Sequence, residues 1–147
     1  KLSDKDMVRR FFDNMSEKSA SFFNVNHGNE KRTMEFFYNG KTDHKFFIAY
    51  EDNEIVSLSF IWDIDMSIPW FGIAVADKYH GKGIGTSMIN YVSEYLTSEG
   101  YGGILLRTST LNHPAQRLYE KCGFERIGTH PSGEYLYIKR WNSYDKN

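Results

Sequence analysis

The spacing of the apolar residues changes near Lys45, and this change constrains the fold more than any other feature of the chain. Ahead of it, "SDKDMVRRFFDNM" carries apolar residues at helical spacing behind a Ser3 cap. After it, "KFFIAY", the turn "EDNE" and a segment that alternates strictly from residue 56 to residue 64 predict two antiparallel strands. We therefore expect a helical N-terminal part, residues 1–40, followed by a sheet.

The rest of the chain predicts further helices and strands in a definite order. The segment around Phe22 and Phe23, and "NEKRTMEFF", predict short helices before the sheet. Later come the strand "PWFGIAVAD", a helix that stops at Gly100, the strand "GGILLRTST", the short helix "PAQRLYEKCG" and the closing strands "FERIG" and "EYLYIKRW". An antiparallel meander followed by a strand-helix-strand crossover predicts the α+β or mixed α/β class.

Composition narrows the class of protein. The chain has 147 residues, 40% of them hydrophobic, which fits one domain, residues 1–147, with its own core. The net charge is -1 and the basic residues are scattered, which argues against nucleic acid or an anionic membrane as partner. Cys122 is the only cysteine, and His44, His113 and His130 lie apart, so we expect no disulfide, no metal site and a structural thiol. With no apolar run of roughly 18 residues and no apolar signal segment in "KLSDKDM", a cytoplasmic protein is the simplest interpretation.

Three glycines, Gly81, Gly83 and Gly85, stand between the third strand and the helix that follows it. Such a cluster indicates either main-chain N–H groups that close around an anion or a turn that lets strand and helix pack closely. A Walker loop needs Lys after the last glycine, where Thr86 stands, and neither Gly81 nor Gly83 starts a G-x-G-x-x-G fingerprint. The loop can still hold a pyrophosphate through successive N–H groups and the positive end of the helix dipole.

A second motif, "NHPAQRLYEKCGF", covers residues 112–124. Together with "VADKYHGKGIG" it resembles the GNAT superfamily of acyl-CoA-dependent N-acyltransferases, firmly so over residues 70–141. The chain departs from the family at His80, where Arg or Gln is usual, and in its start, "KLSDKD", where the family normally has a strand before its first helix. The matching residues are Gly83, Gly85, Asn112, Ala115, Leu118, Tyr119, Gly123 and Phe124.

The resemblance implies a GNAT-like mixed sheet with helices on both faces, and acetyl-CoA as cosubstrate without a metal. It places the pyrophosphate of coenzyme A on the segment with Gly81, Gly83 and Gly85, called the glycine loop below. The pantetheine arm is expected in a V-shaped opening between the strand ending at Val75 and "GILLRTS", paired with main chain like an added strand. The predicted cofactor-binding residues are Ile73, Ala74, Val75, His80, Gly81, Lys82, Gly83, Ile84, Gly85, Thr86, Asn112 and Ala115.

Acetyl transfer from a thioester to an amine requires a neutral amine, a stabilised carbonyl oxygen and a proton for the departing thiolate. One backbone N–H group at residues 73–75 is expected to face the oxygen. Tyr119 is the predicted general acid, and the alternative is an ordinary core tyrosine on the apolar stripe of its helix. Asn112 can contact the cofactor, cap its helix, or do both. The His80 side chain can contact phosphate or lie in solvent, and Lys82 is expected to face solvent.

The base and the acceptor are less defined. Arg107 occupies the position where some family members that modify protein N-termini carry glutamate, which argues against that activity. We expect direct transfer through a tetrahedral intermediate to a small-molecule or peptide amine, with a homodimer left open; the alternative is a coenzyme A-binding or interaction module without turnover. Water or one of the carboxylates Glu51, Asp52, Asp63 and Asp65 is a candidate base, and candidate aromatic walls of the acceptor pocket are Phe60, Trp62, Trp70, Phe71 and Tyr135.

Overall fold

The computed structural model describes residues 3–24, 29–39 and 44–141. Every helix and strand predicted from the sequence is present, and the sequence did not indicate a 3-10 turn at Asp77–Tyr79. The strand that the family resemblance places before the first helix is not among these residues, which enter α1 directly. The helices are α1 (Asp4–Asp13), α2 (Glu17–Asn24), α3 (Asn29–Asn39), α4 (Ile84–Ser98) and α5 (His113–Lys121), and the strands are β1 (His44–Glu51), β2 (Glu54–Trp62), β3 (Trp70–Val75), β4 (Gly103–Thr108), β5 (Glu125–Thr129) and β6 (Tyr135–Arg140).

The six strands form one sheet in the order β1-β2-β3-β4-β6-β5. All neighbours are antiparallel except β3 and β4, which are parallel and in register at a single pair, Trp70 with Leu105. The Leu105 N–H donates to the Pro69 carbonyl at 2.9 Å, at the same end of β3. The sheet therefore consists of two antiparallel halves that meet near the start of β3 and separate toward the carboxyl ends of both strands.

Helices cover both faces of this sheet, which confirms the predicted mixed α/β class. On one face, α4 and α5 pack against strand residues such as Ile61, Phe71 and Ile104. On the other face, α1 buries its apolar stripe and α2 contributes Phe23. The Ser3 hydroxyl accepts from the Asp6 N–H at 3.3 Å, so the predicted cap of α1 is confirmed.

Strand β2 ends two residues earlier than the alternating sequence predicts. Asp63 has a left-handed φ of 57°, which turns the chain out of the sheet after Trp62. Ile64 therefore lies beyond the strand and packs against the core that contains α4. Alternation alone could not locate this end, because Ile64 is apolar and buries its side chain in either arrangement.

None of the helices in the described part of the chain is long and apolar enough to cross a membrane. No three His, Cys, Asp or Glu side chains of that part come together in a group that could hold a metal ion. Cys122 is a half-buried free thiol at the end of α5.

Candidate functional site

A cleft of about 810 Å³ opens where β3 and β4 separate. Its walls come from β3, the glycine loop, the first turn of α4, the end of β4, α5 and α2. Of the residues predicted to bind the cofactor, Lys82 alone does not line it, and its side chain is exposed as expected. The predicted residues that do line it, including the predicted general acid, are Ile73, Ala74, Val75, His80, Gly81, Gly83, Ile84, Gly85, Thr86, Asn112, Ala115 and Tyr119.

Alternate peptide groups of β3 point into this cleft. Ala76 donates its N–H to the Val56 carbonyl at 2.9 Å. The N–H and C=O groups of the even-numbered residues of β3 therefore point toward β2. Ala74 accordingly faces β2, and its carbonyl accepts from the Ser57 hydroxyl at 3.1 Å. Ile73 and Val75 therefore direct their N–H and C=O groups away from β2 toward the cleft. The Val75 carbonyl is bound there by His80 Nε2, so an extended ligand can pair with the N–H and C=O of Ile73 and with the Val75 N–H.

The glycines of the glycine loop are required for two different physical reasons. Gly81 and Gly83 have left-handed φ values of 74° and 83°, which glycine adopts without strain. Gly83 is also the N-cap of α4 and has no side chain to satisfy the N–H groups of the first turn. Gly85 is instead close to α5, since a Cβ there would lie 2.9 Å from Leu118 Cδ2. The loop thus presents N–H groups to the cleft and also lets α4 pack closely on α5.

The His80 side chain fastens the loop to the end of β3. Its Nε2 donates to the Val75 carbonyl at 2.8 Å and lies 4.0 Å from Asp77 Oδ1. The ring is half exposed and borders the cleft. Sequence reasoning considered a phosphate contact or a solvated side chain, and the contact with β3 is a third arrangement that no local pattern indicates.

Asn112 caps α5, as one of the two sequence interpretations predicted. Its Oδ1 accepts from the Ala115 N–H at 3.3 Å, and Pro114 follows in the first turn. Asn112 and Ala115 both line the cleft. The cap therefore also places the start of α5 against the cleft.

Tyr119 lines the cleft from α5 and is 7% exposed. Its ring packs against those of Phe124 and Tyr137, with centroids 5.6 and 6.0 Å away. Burial, with smaller effects from Cys122 and Tyr137, raises the pKa of the Tyr119 phenol, so the phenol stays protonated at neutral pH. The position suits both interpretations of this residue, core packing and a proton donor at the cleft.

Three basic residues that sequence reasoning did not single out, Lys18, Arg117 and Lys121, also line the cleft. Arg117 and Lys121 are four residues apart on α5 and so share one side of the helix, a spacing that could have revealed them. Lys18 reaches the cleft from α2. Together with the N-terminus of α4, these cations favour phosphate groups.

Asp77 was also missed, and it ties α2 to the glycine loop. Its Oδ2 accepts from the Ser16 N–H at 3.2 Å and its Oδ1 from the Ser19 hydroxyl at 2.9 Å. Partial burial raises the pKa of Asp77, but the hydrogen bonds from Ser16 and Ser19 and the neighbouring His80 outweigh this and hold the pKa below its usual 3.8. A charged carboxylate therefore anchors the first turn of α2 beside the cleft.

Near the end of β4 the cleft is aromatic and carries a buried ion pair. The Arg107 guanidinium lies 5.4 Å from the centre of the Trp70 ring, which stacks on Trp62, and Trp62, Arg107 and Glu134 line the cleft. Arg107 Nε lies 3.9 Å from Glu134 Oε1, and the two side chains are 17% and 6% exposed. Glu134 lies in the hairpin turn "HPSGEY", and nothing in the sequence there marks its carboxylate as buried.

The carboxylates considered from the sequence as bases do not line the cleft. Glu51 accepts from the Tyr79 hydroxyl at 3.0 Å, and Asp52 occupies the β1–β2 turn with a φ of 56°. Asp63 and Asp65 lie in the exposed turn after β2. Of the aromatic residues expected around an acceptor, Trp62 and Phe71 line the cleft, whereas Phe60, Trp70 and Tyr135 do not.

Comparison with known proteins identifies relatives of this chain. A family model described as "Acetyltransferase (GNAT) family" matches residues 12–124. A streptothricin acetyltransferase from Escherichia coli is 38% identical over 79 residues, which cover 52% of this chain and 44% of that protein. A probable N-acetyltransferase family 8 member 5 from Mus musculus is 32% identical over 71 residues, 48% of this chain and 30% of that protein. The chain thus spans about a third to a half of the length of these curated relatives.

A solved structure shows the same fold. AAC(6')-Ib in complex with ribostamycin and coenzyme A superposes with a TM-score of 0.74 at 17% sequence identity. The match covers 100% of this chain and 95% of that one. At this identity the likeness establishes the common architecture.

Proposed function

We propose that this chain, which belongs to the acetyltransferase (GNAT) family, transfers the acetyl group of acetyl-CoA directly to a primary amine. The observation that carries the proposal is the cleft in which the open backbone of β3, the uncapped start of α4 and Tyr119 come together. The names of streptothricin acetyltransferase and of AAC(6')-Ib bound to ribostamycin and coenzyme A support a small-molecule amine as acceptor.

The residues that line the cleft fit coenzyme A. N–H groups at residues 83–86, with Lys18, Arg117 and Lys121, would hold its phosphates, since a helix N-terminus and basic side chains both favour anions. The amide-bearing pantetheine arm would pair with the peptide groups of Ile73 and the N–H of Val75. When bound, acetyl-CoA supplies an acyl group activated as a thioester.

Protein groups assist the transfer at the carbonyl oxygen and at the sulfur of the thioester. The N–H groups of Ile73 and Val75 point into the cleft, and the one that the pantetheine arm leaves unpaired stabilises the charge that develops on the carbonyl oxygen. Tyr119 gives its proton to the departing sulfur as the carbon–sulfur bond breaks and the carbon–nitrogen bond forms. The proton lost from the amine passes to water, because the carboxylates considered as bases do not line the cleft and the Glu134 carboxylate, which does, is paired with Arg107.

Two measurements test this function. Calorimetry should show that the protein binds acetyl-CoA in preference to ATP and NAD. Free thiol release should then depend on the amine when acetyl-CoA is mixed with monoamines, amino acids, polyamines, aminoglycosides and peptides. Binding of acetyl-CoA without thiol release for any amine would favour a non-catalytic coenzyme A-binding module, and absence of binding would contradict both.

A further inference from the structure

The ion pair of Arg107 and Glu134 gives one part of the cleft a positive and a negative pole. Glu134 is 5% exposed as a residue, and both side chains border the cleft. Their charged atoms are 3.9 Å apart. Since little water screens them, each pole acts strongly on a charge brought next to it.

Neighbouring groups hold both poles in place. The Ser132 hydroxyl donates to Glu134 Oε1 at 2.9 Å, and the Ser132 N–H donates to His130 Nδ1 at 3.0 Å. Arg107 Nη1 lies 3.0 Å from the same His130 nitrogen, and the guanidinium lies 5.4 Å from the centre of the Trp70 ring. Strand β4 and the turn before β6 thus fix the pair in advance, which lowers the entropy cost of binding a ligand there.

Aromatic side chains lie on one side of the pair, beginning with Trp70 next to the Arg107 guanidinium. Trp62 stacks on Trp70 with ring centroids 6.1 Å apart and an angle of 13°, and Trp62, Phe22 and Phe23 border the cleft. Among the described residues that line the cleft, the carboxylates are Glu134 and Asp77. Asp77 lies in the 3-10 turn ahead of the glycine loop and holds α2. The aromatic part therefore offers one carboxylate and one guanidinium.

We infer that this part of the cleft binds a zwitterionic acceptor, an amino acid with an apolar side chain. Its amine faces Glu134, its carboxylate faces Arg107, and its side chain packs against the aromatic residues. A simple amine is attracted by Glu134 but repelled by Arg107, whereas a molecule with opposite charges a few bonds apart is attracted by both. A polyamine brings several cations to one carboxylate. The inference rests on the proposed function, because the amine held here is the one that is acetylated.

Three probes that share a phenyl ring test the inference. L-phenylalanine carries both charges, phenethylamine lacks the carboxylate and 3-phenylpropanoate lacks the amine. Calorimetry on the full chain saturated with coenzyme A should show phenylalanine binding about tenfold or more tighter than either analogue, because each charged hydrogen bond contributes at least that factor. Spermidine should bind more weakly than phenylalanine. Equal or tighter binding of phenethylamine or spermidine, or no binding of phenylalanine, would overturn the inference.

Two substitutions test whether Arg107 binds the carboxylate of phenylalanine and Glu134 its amine. Arg107→Gln should erase the preference for phenylalanine over phenethylamine, and Glu134→Gln should erase its preference over phenylpropanoate. Arg140→Gln, an exposed site on β6 outside the cleft, is the matched control and should leave both ratios unchanged. Unchanged ratios in folded Arg107 and Glu134 variants would overturn the assignment. If either variant does not fold, the probe comparison on the unsubstituted protein still decides.

Thiol release with the same compounds separates this inference from the proposed function. Release with spermidine but not with phenylalanine would keep acetyl transfer and overturn the zwitterion site. Phenylalanine binding with the expected preference, but without thiol release for any amine, would support the site and contradict acetyl transfer. Release that is fastest with phenylalanine supports both.

Discussion

Gly85 and Leu118 approach so closely that a Cβ added to Gly85 would stand 2.9 Å from Leu118 Cδ2. Gly85→Ala should therefore lower the free energy of unfolding by about 1–3 kcal/mol, the usual range for an overpacked contact. Leu118→Ala in the same chain should recover part of this loss by making room. Urea denaturation of the two single variants and the double variant measures the coupling.

Gly83 provides the control for this comparison of single and double variants. A Cβ there meets nothing within 4 Å, so Gly83→Ala should cost only the left-handed φ of 83°, about 1–2 kcal/mol. Leu118→Ala should not relieve it. Equal coupling of Leu118 to both glycines would mean that the contact with Gly85 is not the source of the effect.

Two serines of β2 allow a comparison of buried hydroxyls. Ser57 and Ser59 are both 0% exposed, but Ser57 donates to the Ala74 carbonyl, whereas the Ser59 hydroxyl has no hydrogen-bond partner in the described part of the chain. Ser59→Ala should raise the free energy of unfolding by on the order of 1 kcal/mol, because it removes an unsatisfied polar group. Ser57→Ala should lower it by about the same amount. A loss of similar size in both variants would contradict this account.

Some site residues could be predicted from the sequence because short-range patterns mark them. The glycine spacing located Gly83, and the cap at Asn112 precedes a proline-started helix within three residues. Glu134 could not be found in this way, since its ion-pair partner Arg107 lies on β4, far away in the chain. Asp77 likewise gains its role from α2, far away in the chain. Strand and helix order follow from periodicity, whereas contacts between distant elements do not.

Asp77 should make stability depend on acid pH. Its pKa is lower in the folded protein than the usual 3.8, so its stabilising effect is present above that pH and is lost as the pH falls through and below it. Asp77→Asn should reduce the fall in the free energy of unfolding between about pH 5 and about pH 3. Urea denaturation across this range gives the slope, with Asp65→Asn, at an exposed turn position, as the control. Identical slopes for Asp77→Asn and the unsubstituted protein would contradict a role for this carboxylate.

Tyr119→Phe separates a general acid from a core tyrosine. The ring and its packing against Phe124 and Tyr137 remain, so folding and acetyl-CoA affinity should change little. If the phenol protonates the thiolate, kcat should fall by about 10²-fold, the lower end of the range for general acid catalysis. The loss should shrink as pH rises, because a thiolate that is stable in solution needs less help to leave.

The check on Tyr119 is kcat from thiol release at several pH values, with acetyl-CoA affinity measured in parallel. Tyr137→Phe, which keeps a neighbouring ring but removes its hydrogen bond to Glu120, serves as the control for loss of a phenol. It should leave the pH dependence of kcat unchanged. Equal kcat for Tyr119→Phe and the unsubstituted protein would return Tyr119 to a purely packing role.

The separation of β3 from β4 places open strand backbone inside the sheet and not at its rim. Strands with free N–H and C=O groups at a rim invite pairing with other protein molecules, which leads to aggregation. The peptide groups of Ile73 and the N–H of Val75 instead face a cleft walled by α2, α4 and α5. These walls stand between the open backbone and the surface of another folded protein, which the rim of a sheet would meet directly. The fold can therefore keep a pairing-competent strand permanently available to a small ligand without the aggregation hazard that such a strand carries elsewhere.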